Sequence, residues 1–325
     1  MHDVIILGGG PAGTAAGVYS ARKRMDTLLI TKEFGGQSKV SNDIENWIGE
    51  THLTGVELAE KLENHVRAYE NDSIEIVEGK TATNIEKVDC EDKSRPCDFV
   101  VSTEEGEEYR SKAVILATGG HRKRLDVPGE DRLEGQGVAY CATCDAPLFA
   151  NKTVAVIGGG NAGVEGAIEL IPYAEKIYIL QRSERLKANP GKIEKVKRED
   201  KVEIIYNADT TEILGEEEVK GLLYRDENNE EKRLEVGGVF VEIGSVPNSE
   251  IVEGLVEMDD HNQVKIDSKH GTTSQKGIFA AGDVTDDPYK QNNISAGDAV
   301  KAAMATYSYI QGLEKSSPAE NGKQD

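Results

Sequence analysis

The run Gly8-Gly9-Gly10-Pro11-Ala12-Gly13 most constrains what this chain can become. It follows the apolar stretch Asp3-Val4-Ile5-Ile6-Leu7 and precedes an alanine-rich segment from about Thr14 to Arg24. A second apolar stretch, Thr27 to Thr31, comes next. A short continuous apolar run suits a parallel strand buried on both faces. Strand, Gly-x-Gly-x-x-Gly, helix, strand is the context in which glycines allow a tight turn and close backbone approach, and the helix N-terminus faces a pyrophosphate. The ribose of a dinucleotide is usually held by an acidic residue at the end of the second strand; Glu33 is the candidate at that place.

The same unit returns later. Thr153 to Ile157 reads as a strand, Gly158-Gly159-Gly160-Asn161-Ala162-Gly163 as the fingerprint, Val164 to Ile171 as the helix and Ile177 to Leu180 as the next strand. The 325 residues are enough for two domains, each with its own core. Between the fingerprints, residues 55–70 carry Val56, Leu58, Leu62 and Val66 at helical spacing. Residues 74–109 alternate apolar and polar, which predicts antiparallel strands and hairpins. Val114 to Gly119 reads as a buried strand, followed by a domain crossing at 120–124. Val202–Tyr206 and Gly221–Tyr224 continue as strands, and Val239–Ile243 repeats the role of 114–119 before Gly244-Ser245-Val246-Pro247-Asn248. After Pro247 the chain returns to the first domain, through a strand ending in Gly282-Asp283 and an amphipathic helix at about 295–310. A disordered tail is expected at about 313–325. The predicted fold is α/β: two Rossmann-like, three-layer ββα nucleotide-binding domains, the second inserted into the first. The first comprises 1–119 and 247–325, the second 120–246.

Tyr140-Cys141-Ala142-Thr143-Cys144-Asp145 lies just ahead of the second fingerprint. Two thiols at this spacing can close a disulfide across one tight turn. A carboxylate immediately after them, Asp145, can hold or deliver the proton that thiol-disulfide exchange needs. A zinc reading of the same pair lacks a second ligand pair: Cys90 and Cys97 are too widely spaced and His121 is isolated, so no metal is expected. Cys90 and Cys97 flank a charged turn and read either as facing thiols of a hairpin or as unrelated ones. With four cysteines in all, the chain is not a disulfide scaffold, and a reducing, cytoplasmic setting is expected. The formal charge of −21 argues against nucleic acid and anionic membrane as partners. No apolar run approaches the roughly 20 residues of a membrane span, and the first strand begins where a signal peptide would lie.

Taken together, the two fingerprints, the dithiol between them and the late Gly282-Asp283 resemble the low-molecular-weight thioredoxin reductase family of flavoproteins, from Val4 to about Gly312. Phe34-Gly35-Gly36-Gln37, Val127-Pro128-Gly129-Glu130-Asp131, Pro147-Leu148-Phe149 and Pro288-Tyr289-Lys290-Gln291 are most similar to the reductase portion of the alkyl hydroperoxide reductase flavoprotein subunit. The resemblance implies FAD in the first domain, on Gly8, Gly10, Pro11, Ala12, Gly13, Gly36, Gln37, Asn46, Gly119, Asp283 and Gln291. It implies NADH or NADPH in the second, on Gly158, Gly160, Asn161 and Gly163, with Arg182 and Lys187 beside them. It further implies a homodimer, a swivel of the second domain through the linkers near 120 and 246, and a catalytic set of Cys141, Cys144 and Asp145. In that set Cys144 faces the flavin and Cys141 attacks a partner disulfide. The implied acceptor is a separate thioredoxin or thioredoxin/glutaredoxin-like protein, because no such domain precedes the first fingerprint.

NADPH-using relatives carry His-Arg-Arg after the second strand, whose planar, always-charged forks suit a 2′-phosphate. Here the stretch is Gln181-Arg182-Ser183-Glu184-Arg185-Leu186-Lys187, in which only Arg182 matches and Lys187 is a conservative replacement, so NADH is favoured. Reduced ferredoxin or a deazaflavin is the alternative donor, and a flavin-binding redox sensor the alternative to an enzyme. Ala146 stands where relatives have glycine after the aspartate.

Overall fold

The computed structural model describes residues 1–41, 43–70, 73–88 and 98–316, the side chains of 314–316 excepted. Two compact units divide the chain: Met1–His121 with Val246–Asp325, and Arg122–Ser245.

The first unit opens with β1 (His2–Gly9), α1 (Pro11–Arg22) and β2 (Thr27–Phe34). A capping box starts α2 (Gly55–Arg67): Thr54 accepts the Glu57 N–H while Glu57 accepts the Thr54 N–H, an exchange that contributes about 1 kcal/mol. The strands β3 (Ile74–Glu78), β4 (Ala82–Lys87), β5 (Phe99–Thr103) and β6 (Glu108–Leu116) follow, then the short β7 (Gly120–Arg122). The sheet order is β3-β2-β1-β6-β5-β4. Contrary to expectation, Ile74–Glu78 does not belong to an antiparallel meander; it pairs parallel with β2 as the edge of the parallel sheet, after the crossover through α2. Among the described residues, β4, β5 and β6 form the antiparallel part of this sheet. Cys90 and Cys97, read either as facing thiols or as unrelated ones, lie outside the described residues.

The second unit contains β8 (Val138–Ala139), α3 (Ala142–Asp145), β9 (Thr153–Ile157), α4 (Asn161–Leu170), β10 (Lys176–Gln181), α5 (Pro190–Lys197) and β11 (Val202–Tyr206). A three-stranded antiparallel sheet of β12 (Asp209–Leu214), β13 (Gly221–Arg225) and β14 (Glu231–Leu234) precedes β15 (Val239–Val241) and the short β16 (Ser245–Pro247). The parallel sheet runs β11-β10-β9-β15-β8. Its alternate residues serve two cores. Val154 and Val156 pack with Val164, Ala167 and Leu170 of α4. Ala155 and Ile157 pack with Ile213 and Leu222 of the antiparallel sheet. Helix, parallel sheet and antiparallel sheet are thus the three layers of this unit.

The chain then completes the first unit with β17 (Ile278–Ala280), parallel to β6, and α6 (Asn292–Ser316). Helix therefore continues to Ser316, past the point where a tail was expected; residues 317–325 lie outside the described residues. In β1, Val4 and Ile6 face α1 and α6, while Ile5 and Leu7 face Val252, Val256 and Val264 on the opposite side. All four are at most 1% exposed. At about 1.5–3 kcal/mol for each buried aliphatic side chain, β1 is a firm base for the turn that follows it. No helix among the described residues is long and apolar enough to cross a membrane.

Candidate functional site

In the first unit the strand order turns back between β1 and β6, and the loops at their carboxyl ends carry Gly8–Gly10 and Gly119. This is where open α/β sheets bind ligands. A side chain at Gly13 would collide with the Gly8 carbonyl, so that glycine lets helix and strand close up. Gly10 is different: a Cβ there meets only Gly36 Cα, at 3.8 Å. Gly10 is also the N-cap of α1, gives no side-chain cap, and is followed by Pro11 at the first helical position. The first turn of α1, with Ala12 and Gly13, therefore keeps peptide N–H groups with no capping side chain, the arrangement that suits a phosphate. Around it, Gln37 Nε2 donates to Asp283 Oδ2 at 3.4 Å and Ser295 Oγ to Asp283 Oδ1 at 3.2 Å. Asn46 Nδ2 donates to Gln291 Oε1 at 3.2 Å. Glu33, by contrast, is engaged by Lys39 Nζ at 2.6 Å. The glycine approach, the uncapped helix and the carboxylate of Asp283 fit a dinucleotide such as FAD.

The second unit repeats the device after β9. Gly163 meets the Gly158 carbonyl as Gly13 meets that of Gly8, whereas a Cβ at Gly160, again an N-cap without a capping side chain, meets nothing within 4 Å. The end of β10 is tied down by its own amide. Gln181 Oε1 accepts the Gly159 N–H at 3.2 Å, and Nε2 donates to Ser183 Oγ at 2.8 Å and to the Arg185 carbonyl at 3.0 Å. The Lys187 N–H donates to the Gly159 carbonyl at 2.6 Å. Asn161 Oδ1 accepts the Asn189 N–H at 2.9 Å. Arg182, Arg185 and Lys187 are exposed on this loop, and among the described residues none of them pairs with a carboxylate. These residues fit a nicotinamide dinucleotide: an open, uncapped helix start beside a basic rim.

The dithiol occupies α3. Cys141 and Cys144 form a disulfide with Cα atoms 5.3 Å apart. Cys141 is the N-cap, and its Sγ accepts the Cys144 N–H at 3.2 Å. The Asp145 N–H donates to the Cys141 carbonyl at 3.0 Å. Thr143 and Cys144 are exposed; Cys141 and Asp145 are half-buried. Among the described residues, Asp43, Glu45 and His52 are the group that offers three metal-ligand atoms within 4.8 Å; neither cysteine belongs to such a group.

Two carboxylates near this turn were not foreseen from the sequence. Glu130, 1% exposed, accepts the Leu125 and Asp126 N–H groups and the Tyr140 hydroxyl. Glu242 Oε1 accepts the Ala142 N–H at 3.0 Å. Burial pushes its carboxyl up to about 7, against the pull of that N–H. An acidic residue ending an otherwise apolar strand, Val239 to Val241, was the available signal.

A family model described as pyridine nucleotide-disulphide oxidoreductase matches residues 2–306. The chain is 42% identical over 309 residues to a Bacillus subtilis (strain 168) protein named NADH dehydrogenase, covering 95% of this chain and 58% of that one. It is 41% identical over 310 residues to an alkyl hydroperoxide reductase subunit of Staphylococcus aureus (strain NCTC 8325 / PS 47), covering 95% and 59%. The chain thus spans less than two thirds of the length of these curated relatives. Among solved structures, thioredoxin reductase from Streptococcus pyogenes MGAS5005 superposes with a TM-score of 0.87 at 32% identity, covering 96% of this chain and 99% of that one.

Proposed function

We propose that this chain, which belongs to the pyridine nucleotide-disulphide oxidoreductase family, is an FAD-dependent disulfide reductase acting on a thioredoxin or thioredoxin/glutaredoxin-like protein. What carries the reading is the redox turn: a disulfide whose first cysteine caps a helical turn, on the same unit as an open glycine fingerprint. FAD would be held by Gly8, Gly10, Pro11, Ala12, Gly13, Gly36, Gln37, Asn46, Gly119, Asp283 and Gln291. When bound it supplies the two-electron chemistry that links a nicotinamide hydride to a disulfide. Gly158, Gly160, Asn161 and Gly163 would hold the nicotinamide dinucleotide.

The chain's own residues then work as follows. With the disulfide opened, the Cys144 N–H that reaches Cys141 Sγ favours the thiolate on Cys141. That thiolate attacks a partner disulfide, forming a mixed disulfide and releasing one partner thiolate. Cys144 gives its proton to Asp145 and attacks Cys141 Sγ, which re-forms the internal disulfide and releases the second partner thiolate. The net change is one partner disulfide reduced and one internal dithiol oxidised.

NADH is the proposed donor. Gln181 brings no charge to a 2′-phosphate and is already engaged with Gly159, Ser183 and Arg185. The name of the Bacillus subtilis relative agrees. The unpaired cations Arg182, Arg185 and Lys187 favour NADPH as the second reading. A homodimer in the cytoplasm completes the proposal.

The test is an anaerobic spectral titration of the purified protein with NADH and NADPH in parallel, followed by turnover with a thioredoxin. Flavin bleaching by NADH, with multiple turnovers, is the expected result. Bleaching by NADPH alone would assign Arg182 and Lys187 to the phosphate. If dithionite bleaches the flavin and neither nucleotide does, the donor is a ferredoxin or deazaflavin. Protein that neither carries nor binds flavin would overturn the reading of the first unit.

A further inference from the structure

Glu242 has no part in the electron path described above. It follows β15 directly, beside β9, where the strand order of its unit reverses. On one side its Oε1 takes the Ala142 N–H, which belongs to the peptide joining Cys141 to Ala142. On the other side is α4, which presents Gly166; a Cβ there would press on Ala142 Cβ at 3.2 Å and touch Glu242 Cγ at 3.4 Å and Oε1 at 3.5 Å. The backbone of α4 at Gly166 thus packs closely on both the Glu242 carboxyl and Ala142 of the redox turn.

We propose that Glu242 is a positioning residue of the dithiol, holding the peptide after Cys141 in place and setting by its own charge how readily the Cys141 thiol ionises. This rests on Cys141 and Cys144 being the redox pair. One turn serves two acceptors: Cys141 Sγ takes the Cys144 N–H and Glu242 takes the Ala142 N–H. Once the disulfide is opened, by a small dithiol or by the proposed electron path, a thiolate on Cys141 and a carboxylate on Glu242 would be like charges flanking the Cys141–Ala142 peptide, and each opposes the other. Neutral Glu242 still accepts the N–H through its carbonyl oxygen and no longer opposes the thiolate.

The remaining charged groups facing Glu242 do not cancel this coupling. Burial is the largest influence on its carboxyl. Arg122 pulls toward the ionised form, while Glu169 on α4 and Asp145 on α3 push toward the neutral one. The resulting midpoint of about 7 places the change of charge in the range where thiols begin to ionise. Cys141 and Glu242 then titrate as a pair, and the thiolate forms over a broad span of pH.

The experiment uses the full chain carrying Cys144→Ser, reduced, with the rate of iodoacetamide labelling of Cys141 followed by peptide mass spectrometry from pH 5 to 9.5. The broad rise is expected with Glu242 present. Glu242→Gln keeps an oxygen for the Ala142 N–H and removes the charge. It is expected to give a single steep rise with its midpoint about one pH unit lower, hence roughly tenfold faster labelling below the midpoint. Glu242→Asp, which keeps the charge, is expected to keep the broad rise and covers the case in which the Gln variant does not fold. A Gln profile that superimposes on the parent, or an Asp profile that turns steep, overturns the proposal. Turnover of the unmutated chain with a thioredoxin is read separately. Failure there removes the proposed function, while the labelling profile reports on Glu242 alone.

Discussion

The Tyr140 hydroxyl donates to Glu130 Oε1 at 2.9 Å, which ties the residue before Cys141 to a carboxylate buried to 1% exposure. Glu130 also takes the Leu125 N–H at 3.0 Å and the Asp126 N–H at 2.8 Å, and the Arg124 guanidinium lies 5.1 Å over the Tyr140 ring. Burial, with Glu130 beside it, pushes the phenol well above its usual range, so it remains a donor at any working pH. Tyr140→Phe removes one donor and is expected to cost about 1–2 kcal/mol. Glu130→Ala strands two peptide N–H groups and the hydroxyl, with an expected cost of about 3 kcal/mol or more. Thermal unfolding of the two variants checks the order; equal losses would show that Glu130 does not organise this segment.

Gly160 and Gly163 are three residues apart in one motif but predict opposite behaviour. A Cβ on Gly163 collides with the Gly158 carbonyl, a backbone atom that cannot move aside, so Gly163→Ala is expected to lose about 3 kcal/mol. A Cβ on Gly160 meets nothing within 4 Å, and its φ of −83° suits any residue. Gly160→Ala is expected to lose no more than about 1 kcal/mol as a weaker N-cap. It should nonetheless weaken nicotinamide dinucleotide binding at least about tenfold if the ligand approaches the helix there. Melting temperatures and a fluorescence titration with NADH separate the two effects, and unchanged NADH affinity in Gly160→Ala would move the nucleotide away from this helix start.

The parallel cores were legible because Val4–Leu7 and Val154–Ile157 are continuous apolar runs, which only a strand covered on both faces can use. The direction of Ile74–Glu78 was not legible. As the sheet edge it is half solvated, with only Ile74 buried, so its alternation imitates an antiparallel strand. Helix α1 begins three residues before the expected Thr14, because Pro11 fits the first helical position and Gly10 caps without a side chain. The meeting of Gln37 with Asp283, and of Ala142 with Glu242, joins residues 246 and 100 positions apart. Such pairs are made by the packing of whole elements and leave no local pattern.

The two cysteines should fail in distinguishable ways. In Cys144→Ser the Cys141 thiol can still attack a partner but cannot be resolved, so a mixed disulfide accumulates and turnover falls to background. In Cys141→Ser no mixed disulfide forms. Flavin bleaching by the nicotinamide donor should survive in both, because neither thiol lies in the fingerprint. A non-reducing gel with a thioredoxin and a stopped-flow trace of the flavin give both readouts. Disulfide turnover that persists in Cys144→Ser would remove this pair from the reaction.

Glu242 also makes the stability of its unit depend on pH. Its carboxyl is raised to about 7 in the folded protein, chiefly by burial, from 4.5. Between those two values the folded state holds a proton that the unfolded state has released, so stability falls as pH rises, and it levels off above 7. Below about 4.5 both states are protonated and the carboxyl contributes no penalty. Glu242→Gln is neutral throughout and escapes the loss. The variant should therefore match the parent at about pH 4 and exceed it at about pH 8 by about 2 kcal/mol, allowing for partial solvent screening. Differential scanning calorimetry of parent and variant at the two pH values measures this, following the transition that the Gln variant displaces. A variant equally displaced at both values would mean that the carboxyl is already ionised in the fold, and that its contact with the Ala142 N–H outweighs its burial.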